Sequence, residues 1–376
     1  MAVEYEVRIL DWNGRVLPRG VIQLADVDGP ALSLNVGLGL VGTGVTGTCE
    51  VGIIDLDLFN QLRKDYRIAV YRSVDGGPET LEADAEFLIR WRRITSNGAR
   101  IRGVHVNALL DSRFVLYSAG TPFTQKTGRA SDVIKDFVRE NLGGGVSPPD
   151  RDGDDTGVDI SSLLSIAGNS GAGPNVSLSR TRRRLSQVIK EICDASAANG
   201  QPLFAEVYSS GGRLIFDVFP SQRGRDRRAG RPLSRAMGNI IDAELVIDEI
   251  DEVTFGAVGG AGEGVLRLIG TAIDRRRLER SPFGRIEAFT EDSNITDQST
   301  LNQRAAALVR EGVPKVTYTG TIISAPGFVR GVDFDYGDYV RIEDFDRIFY
   351  ARLNTLSVTV HQGVVSDTLR VKVDQI

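Results

Sequence analysis

Cysteine, histidine and methionine are nearly absent from this chain. Its 376 residues include two of each, the cysteines being Cys49 and Cys193 and the histidines His105 and His361. Two widely spaced cysteines make neither a disulfide framework nor a Cys-rich zinc site. Two histidines exclude multi-histidine centres and argue against a His-centred triad, and two methionines exclude a Met-rich binding surface. Lysine is also scarce, so arginine supplies most of the 45 basic residues. These face 50 carboxylates, giving a formal net charge of −5, which is not the balance of a general nucleic-acid binder. The longest uncharged stretch, Gly29 to Cys49, is broken by glycine, serine and threonine and does not read as a membrane helix. The start, Met-Ala-Val-Glu-Tyr-Glu-Val-Arg, lacks the basic-then-apolar pattern of a signal peptide. The expectation is a folded protein made in a reducing cytoplasm, without stable membrane insertion. The length suits two or three domains at ~150 residues each.

Alternation dominates the first third. Val3, Tyr5, Val7 and Ile9 alternate with charged residues, and Asn13-Gly14 separates them from a returning run at Val16-Leu17. That is the pattern of a half-buried strand and a tight hairpin. A second period-two run spans Leu32 to Leu40, Asp55 to Tyr66 suits a short helix, and a long hairpin from Ala83 to Val106 turns at Asn97-Gly98.

The middle changes character. Ser131 is placed to cap a helix carrying Ile134, Phe137, Val138 and Leu142 on one face. Residues 143–177 have the Gly, Ser, Pro and Asp content of a mobile loop. A second helix is expected over Arg180 to Ala198, followed by a hairpin from Leu203 to Phe219. The last third returns to strands, at Val253–Val258, Val265–Ile273, Arg285–Phe289, Val316–Ile323 and a closing meander from Tyr339 to Val373. One helix falls near 300–311, with Thr300 and Gln303 at capping-box spacing. The expected domains are 1–118, 119–235 and 236–376: two β domains around an α/β insertion.

The candidate chemistry is weak throughout. Gly37-Leu-Gly39-Leu-Val-Gly42 matches a dinucleotide pattern, but no helix can readily start at the residues that follow. The glycines from Gly256 to Gly264 lead into a strand and lack the Lys-Ser/Thr of a phosphate loop. Asp150, Asp152, Asp154, Asp155 and Asp159 offer hard oxygens for calcium, yet Asp155 and Ser161 stand where an EF-hand needs glycine and glutamate. Arginines cluster at 180–184, 223–231 and 275–280, where ion pairing within or between subunits is favoured over nucleic-acid binding. His105 and His361 read as structural. No carboxylate pair stands out for glycosidase work. No catalytic, cofactor-binding or metal-binding residue is assigned, and an enzyme is not expected.

From about Phe87 onward the chain resembles the baseplate-hub and tail-tip proteins of long-tailed, siphovirus-type phages, relatives of the hubs of contractile injection machines. The resemblance is carried by Leu109-Leu110-Asp111-Ser112-Arg113, the helix around Val133–Val138, the hairpin Leu214–Phe219 leading into Gly224-Arg225-Asp226-Arg227, Gly238-Asn239-Ile240 with the Gly256–Gly264 segment, and Tyr336-Gly337-Asp338-Tyr339-Val340. It implies an α+β, mainly antiparallel β fold with two tail-tube-like β-barrel domains. It further implies a homotrimer at the tail tip that adapts a sixfold tube to a threefold tip. The implied partners are further copies of the chain, a distal tail or tail-tube protein, the tape-measure protein and tail fibre or tip proteins, with DNA passing transiently through the channel. The channel wall is expected to be neutral or acidic, because an acidic wall would repel the DNA backbone and let it slide. The rival expectations are a tail-associated peptidoglycan hydrolase and a glycan-binding adhesin.

Overall fold

The computed structural model describes residues 3–38, 45–115, 122–143, 160–221, 224–322 and 328–373. Strands β1 (Val3–Leu10) and β2 (Val16–Ile22) form the expected hairpin. There follow β3 (Leu32–Leu38), β4 (Val45–Ile53), helix α1 (Leu56–Gln61), β5 (Arg67–Val74), β6 (Thr80–Thr95) and β7 (Gly98–His105). The alternation does what period two dictates: Val7 and Ile9 are fully buried, whereas Glu4 is exposed. Helix α1 begins where the Asp55 side chain accepts from Leu58 N (3.0 Å).

The middle segment holds α2 (Ala108–Asp111), β8 (Phe114–Val115), β9 (Thr124–Arg129), α3 (Ala130–Asn141), β10 (Leu164–Ile166), β11 (Asn175–Arg180), β12 (Arg183–Arg184), α4 (Leu185–Ala198), β13 (Leu203–Ser210) and β14 (Arg213–Pro220). Helices α3 and α4 share one core with β13 and β14, built from Ile134, Phe137, Val188, Ile192, Val207 and Phe216. Two expectations change here. Ser131 lies inside α3, and its hydroxyl serves Ala172 N (2.9 Å) rather than capping the helix. The described part of 143–177 includes strands: β10 runs parallel to β14, and β11 pairs antiparallel with β9. The second helix therefore starts at Leu185, because Arg180 and Arg183-Arg184 are in strands.

The chain then forms β15 (Ile240–Asp248), β16 (Phe255–Gly259), β17 (Ile269–Ile273), α5 (Arg275–Leu278), β18 (Glu287–Glu291), α6 (Gln298–Glu311), β19 (Lys315–Ile322), β20 (Tyr339–Asp344), β21 (Arg347–His361) and β22 (Val364–Val373). Helix α6 is capped by Asp297, whose carboxylate accepts from Thr300 N (2.7 Å) and Thr300 Oγ1 (2.8 Å). Thr300 is thus a donor to the cap, not the start of a capping box.

The mainly antiparallel β architecture with helical insertions agrees with expectation, but the two β-barrels do not. Strands from both ends of the chain join one 12-stranded sheet, ordered β15-β19-β22-β21-β3-β4-β7-β6-β5-β1-β2 with β20 against β21. The seam is β3–β21, from Thr355↔Gly37 to Val360↔Leu32. Because β3 pairs with β21 on one side and β4 on the other, the N-terminal strands continue into the C-terminal ones instead of closing on themselves. Among the described residues no pairing joins the terminal strands β2 and β15, so no sheet closes into a barrel.

The chain divides into two compact units. The larger takes the residues up to Ala243 and from Gly320 onward and contains the sheet seam and the α3–α4 core. The smaller, Glu244–Thr319, is a three-stranded sheet β17-β16-β18 with α6 on one face. Its fully buried core is Val258, Leu301 and Ala305. The glycine-rich segment has its explanation here: a Cβ on Gly256 would lie 2.6 Å from the Ala305 carbonyl oxygen, so glycine lets the helix approach the strand. The following residues make a 3-10 turn, Gly264–Leu266, where the first half of a longer strand was expected.

Candidate functional site

Two of the segments that carry the resemblance meet in the larger unit. Asp338 is 3% exposed and organises the junction. Its Oδ1 accepts from Arg225 N (2.7 Å), and its Oδ2 accepts from Arg227 Nε (2.7 Å) and Asp335 N (2.9 Å). Backbone bonds complete the seam: Tyr339 N donates to Arg225 O (2.9 Å) and Arg227 N to Tyr339 O (2.8 Å). Gly224 has φ +90°, and a Cβ there would stand 2.2 Å from the Gly337 carbonyl carbon, so only glycine fits. Arg228 pairs with Asp226 (2.7 Å) and lies over the Tyr339 ring at 4.7 Å. Its hydrogen bonds pull the Asp226 carboxyl down to about 2.

Residues 224–239 form a strap that runs along β20. Leu233 N donates to Arg341 O (2.9 Å), and Glu343 N to Leu233 O (3.0 Å). Buried Asn239, from Gly238-Asn239-Ile240, accepts from Ser234 N (2.7 Å) and donates to Pro232 O (2.9 Å). In the middle segment Asp111 accepts from Ser186 Oγ (2.5 Å) and its carbonyl from Arg184 (2.7 Å), tying α2 to the start of α4. Asp338, Asn239 and Asp111 thus act as braces between backbone segments.

Buried charges that sequence reasoning did not single out support this region. Arg67 and Glu86, 2% and 1% exposed, pair at 2.8 Å. Glu86 also accepts from Ser209 Oγ (2.5 Å), and Arg67 Nη2 donates to Gly212 O (2.9 Å), joining β5 and β6 to the β13–β14 hairpin. Burial pushes the Glu86 carboxyl up, with Arg67 and Ser209 opposing. Arg330 and Glu82 form a second buried pair at 2.5 Å. Beside it lies a cavity of about 510 Å³ lined by Arg72, Glu82, Arg225, Arg330, Asp335 and Asp338. The signal was present: Glu86 interrupts the apolar run Ala85 to Ile89, and Arg67 abuts Ile68-Ala69-Val70.

The residues weighed earlier are dispersed. His105 is buried, edge-on to Phe87 with ring centroids 5.7 Å apart, and its Nδ1 accepts from Asn107 N (3.1 Å). His361 lies 3.2 Å from Asp26. Both cysteines are buried; burial raises the Cys49 thiol and pushes Cys193 up to about 12, so neither is a ready nucleophile. Gly37 lies in β3, whereas Gly39 and Gly42 fall outside the described residues, as do Asp150, Asp152, Asp154, Asp155 and Asp159. Much of the arginine is ion-paired, including Arg180–Glu191 (2.6 Å), Arg227–Asp338 and Arg277–Asp274 (2.8 Å). Among the described residues no group of three or more His, Cys, Asp or Glu is arranged to hold a metal ion.

A family model described as Siphovirus ReqiPepy6 Gp37-like protein matches residues 92–371. The chain belongs to that family. No curated protein matches it by sequence. Among solved structures it is similar to a 43 kDa tail protein of prophage MuSo2 from Shewanella oneidensis, at 10% identity, covering 98% of both chains with a TM-score of 0.57. A tail protein from Neisseria meningitidis MC58 is 12% identical, with 99% of this chain and 97% of that one covered and a TM-score of 0.54. A chain of the lidded Francisella PdpA-VgrG complex is 11% identical with a TM-score of 0.52, and this chain spans 52% of its length. At these identities the likeness is one of fold. The siphovirus family and the tail-protein fold bear out the resemblance to the tail-tip and baseplate-hub class. The expectation of a non-enzymatic protein agrees with that membership.

Proposed function

We infer that this protein is a structural component of the virion, a hub at the tip of a siphovirus-type tail. It assembles as a homotrimer, adapts the sixfold tail tube to a threefold tip and lines part of the channel taken by the tape-measure protein and DNA. Its neighbours in this reading are a distal tail or tail-tube protein and the fibre or tip proteins. The carrying observation is the agreement of family and fold over nearly the whole chain: the siphovirus family match spans residues 92–371, and the tail-protein fold covers 98% of the chain. The braces around Asp338 fit this role, because they spend the most specific polar residues on rigidity rather than on a reacting atom. Arg–carboxylate pairing of the kind seen within the chain also suits contacts between copies.

Antibodies to the purified chain, applied to intact virions and viewed by electron microscopy, test the location. Labelling confined to the tail tip is expected. Labelling of the capsid or along the tube, or a clear lysis zone in cell-wall zymography lost with a single carboxylate, would overturn the reading.

A further inference from the structure

Among the buried arginines of the larger unit, Arg67, Arg100 and Arg330 each face a carboxylate, but Arg72 has no such partner among the described residues. Arg72 lies on β5 and is 6% exposed. Its Nη1 donates to the Arg330 carbonyl oxygen (3.0 Å), while its Nε and Nη2 meet no acceptor. A guanidinium cannot shed its proton to escape burial, so an uncompensated one is costly unless an anion or strong acceptors reach it. Arg72 also lines the cavity of about 510 Å³ beside the Asp338 junction.

The carboxylates around this cavity are mostly committed. Glu82 is held by Arg330 (2.5 Å) and by Tyr5 Oη (3.3 Å). Asp338 is held by Arg227 and two backbone amides. Asp335 accepts from Tyr336 N (2.8 Å); burial pushes its carboxyl up, with that bond and Arg330 opposing. Asp84 is exposed, as is Arg225, which adds a second cation to the lining. The wall therefore has an unmatched buried cation, a second accessible cation and room for a small ligand.

We propose that this cavity is an oxyanion site that takes a carboxylate or phosphate group, held by the Arg72 guanidinium with Arg225 as the second cation. Arg72 comes from the N-terminal strands and Arg225 from the strap, so a bound anion would clamp two segments of the larger unit. The assignment does not depend on the tail role.

The test is isothermal titration of the full chain, in a buffer without oxyanions, with inorganic phosphate and separately with citrate. Saturable one-to-one binding of at least one probe is expected, and the probe that binds identifies the group. Arg72→Gln should abolish it, and Arg225→Ala should weaken it about tenfold. Circular dichroism checks the fold of each variant. If Arg72→Gln does not fold, Arg225→Ala decides: about tenfold weakening supports the site and unchanged affinity overturns it. Absence of saturable binding by both probes, or retention of binding in a folded Arg72→Gln protein, also overturns it.

Discussion

In the larger unit the polar bonds that seal the structure span great lengths of chain: 248 residues for Arg330–Glu82, 145 for Arg67 to Gly212 and 111 for Arg227–Asp338. In the smaller unit the corresponding bonds are local. Arg277, 6% exposed, donates to Gly312 O (2.7 Å) and Val309 O (2.8 Å), 35 and 32 residues away, and Thr254 reaches Gly284 O across 30. The smaller unit places a cation at the C-terminal carbonyls of α6, where the helix dipole favours it. The larger unit buries whole ion pairs, whose worth depends on both partners being present. Folding of the larger unit therefore waits on distant segments, whereas the smaller can form from contacts near in sequence. The difference predicts separable responses to substitution.

The largest effect is expected at Glu86. Glu86→Ala leaves Arg67 buried without its counter-charge and should cost about 3–5 kcal/mol, read as loss of the larger unit's transition in chemical denaturation. A loss below about 1 kcal/mol would place the pair in the class of surface bridges. Next is Leu301→Ala in α6, where the small core leaves little to compensate. About 2–4 kcal/mol is expected, with faster amide exchange confined to β16–β18 and α6. Equal acceleration in both units would deny that the smaller one opens separately. Gly224→Ala is expected to cost about 1–3 kcal/mol, from strained backbone and contact with Gly337, with exchange rising along 224–239 and β20. Silence there would mean that the strap is not a brace.

The smallest effect is electrostatic. Thr300's side chain and backbone hold the Asp297 carboxyl below the ordinary carboxylate range, and Arg277 does the same for Asp274. A lowered folded pKa contributes stability above the unfolded value that is lost as pH falls through the folded one. The smaller unit should thus weaken below about pH 4, and Asp297→Asn should flatten that part of the profile. At Glu86 in the larger unit the sign is opposite: its raised carboxyl contributes most below its unfolded pKa and loses that contribution as pH rises through the folded one.

Much of the local structure was legible in the residues. Alternation located β1 and β3, and Asn-Gly marked the turns between β1 and β2 and between β6 and β7, because side-chain period and turn chemistry are local properties. Pairing between the ends of the chain was not legible. Nothing in Leu32–Leu38 states that its neighbour is Arg347–His361, and that pairing is what replaces two closed barrels with one open sheet. The same holds for the candidate site. Tyr336-Gly337-Asp338 and Gly224-Arg225-Asp226-Arg227 stood out as separate segments, but their shared hydrogen bonds appear only once the fold brings them together. Arg72, one charge among strand residues, carried no mark of its isolation.

The most direct test of the hub is native mass spectrometry of the purified chain, with negative-stain imaging of the same sample. The account predicts a homotrimer that images as a threefold ring with a central opening. A stable monomer that also fails to join purified tail components would contradict it.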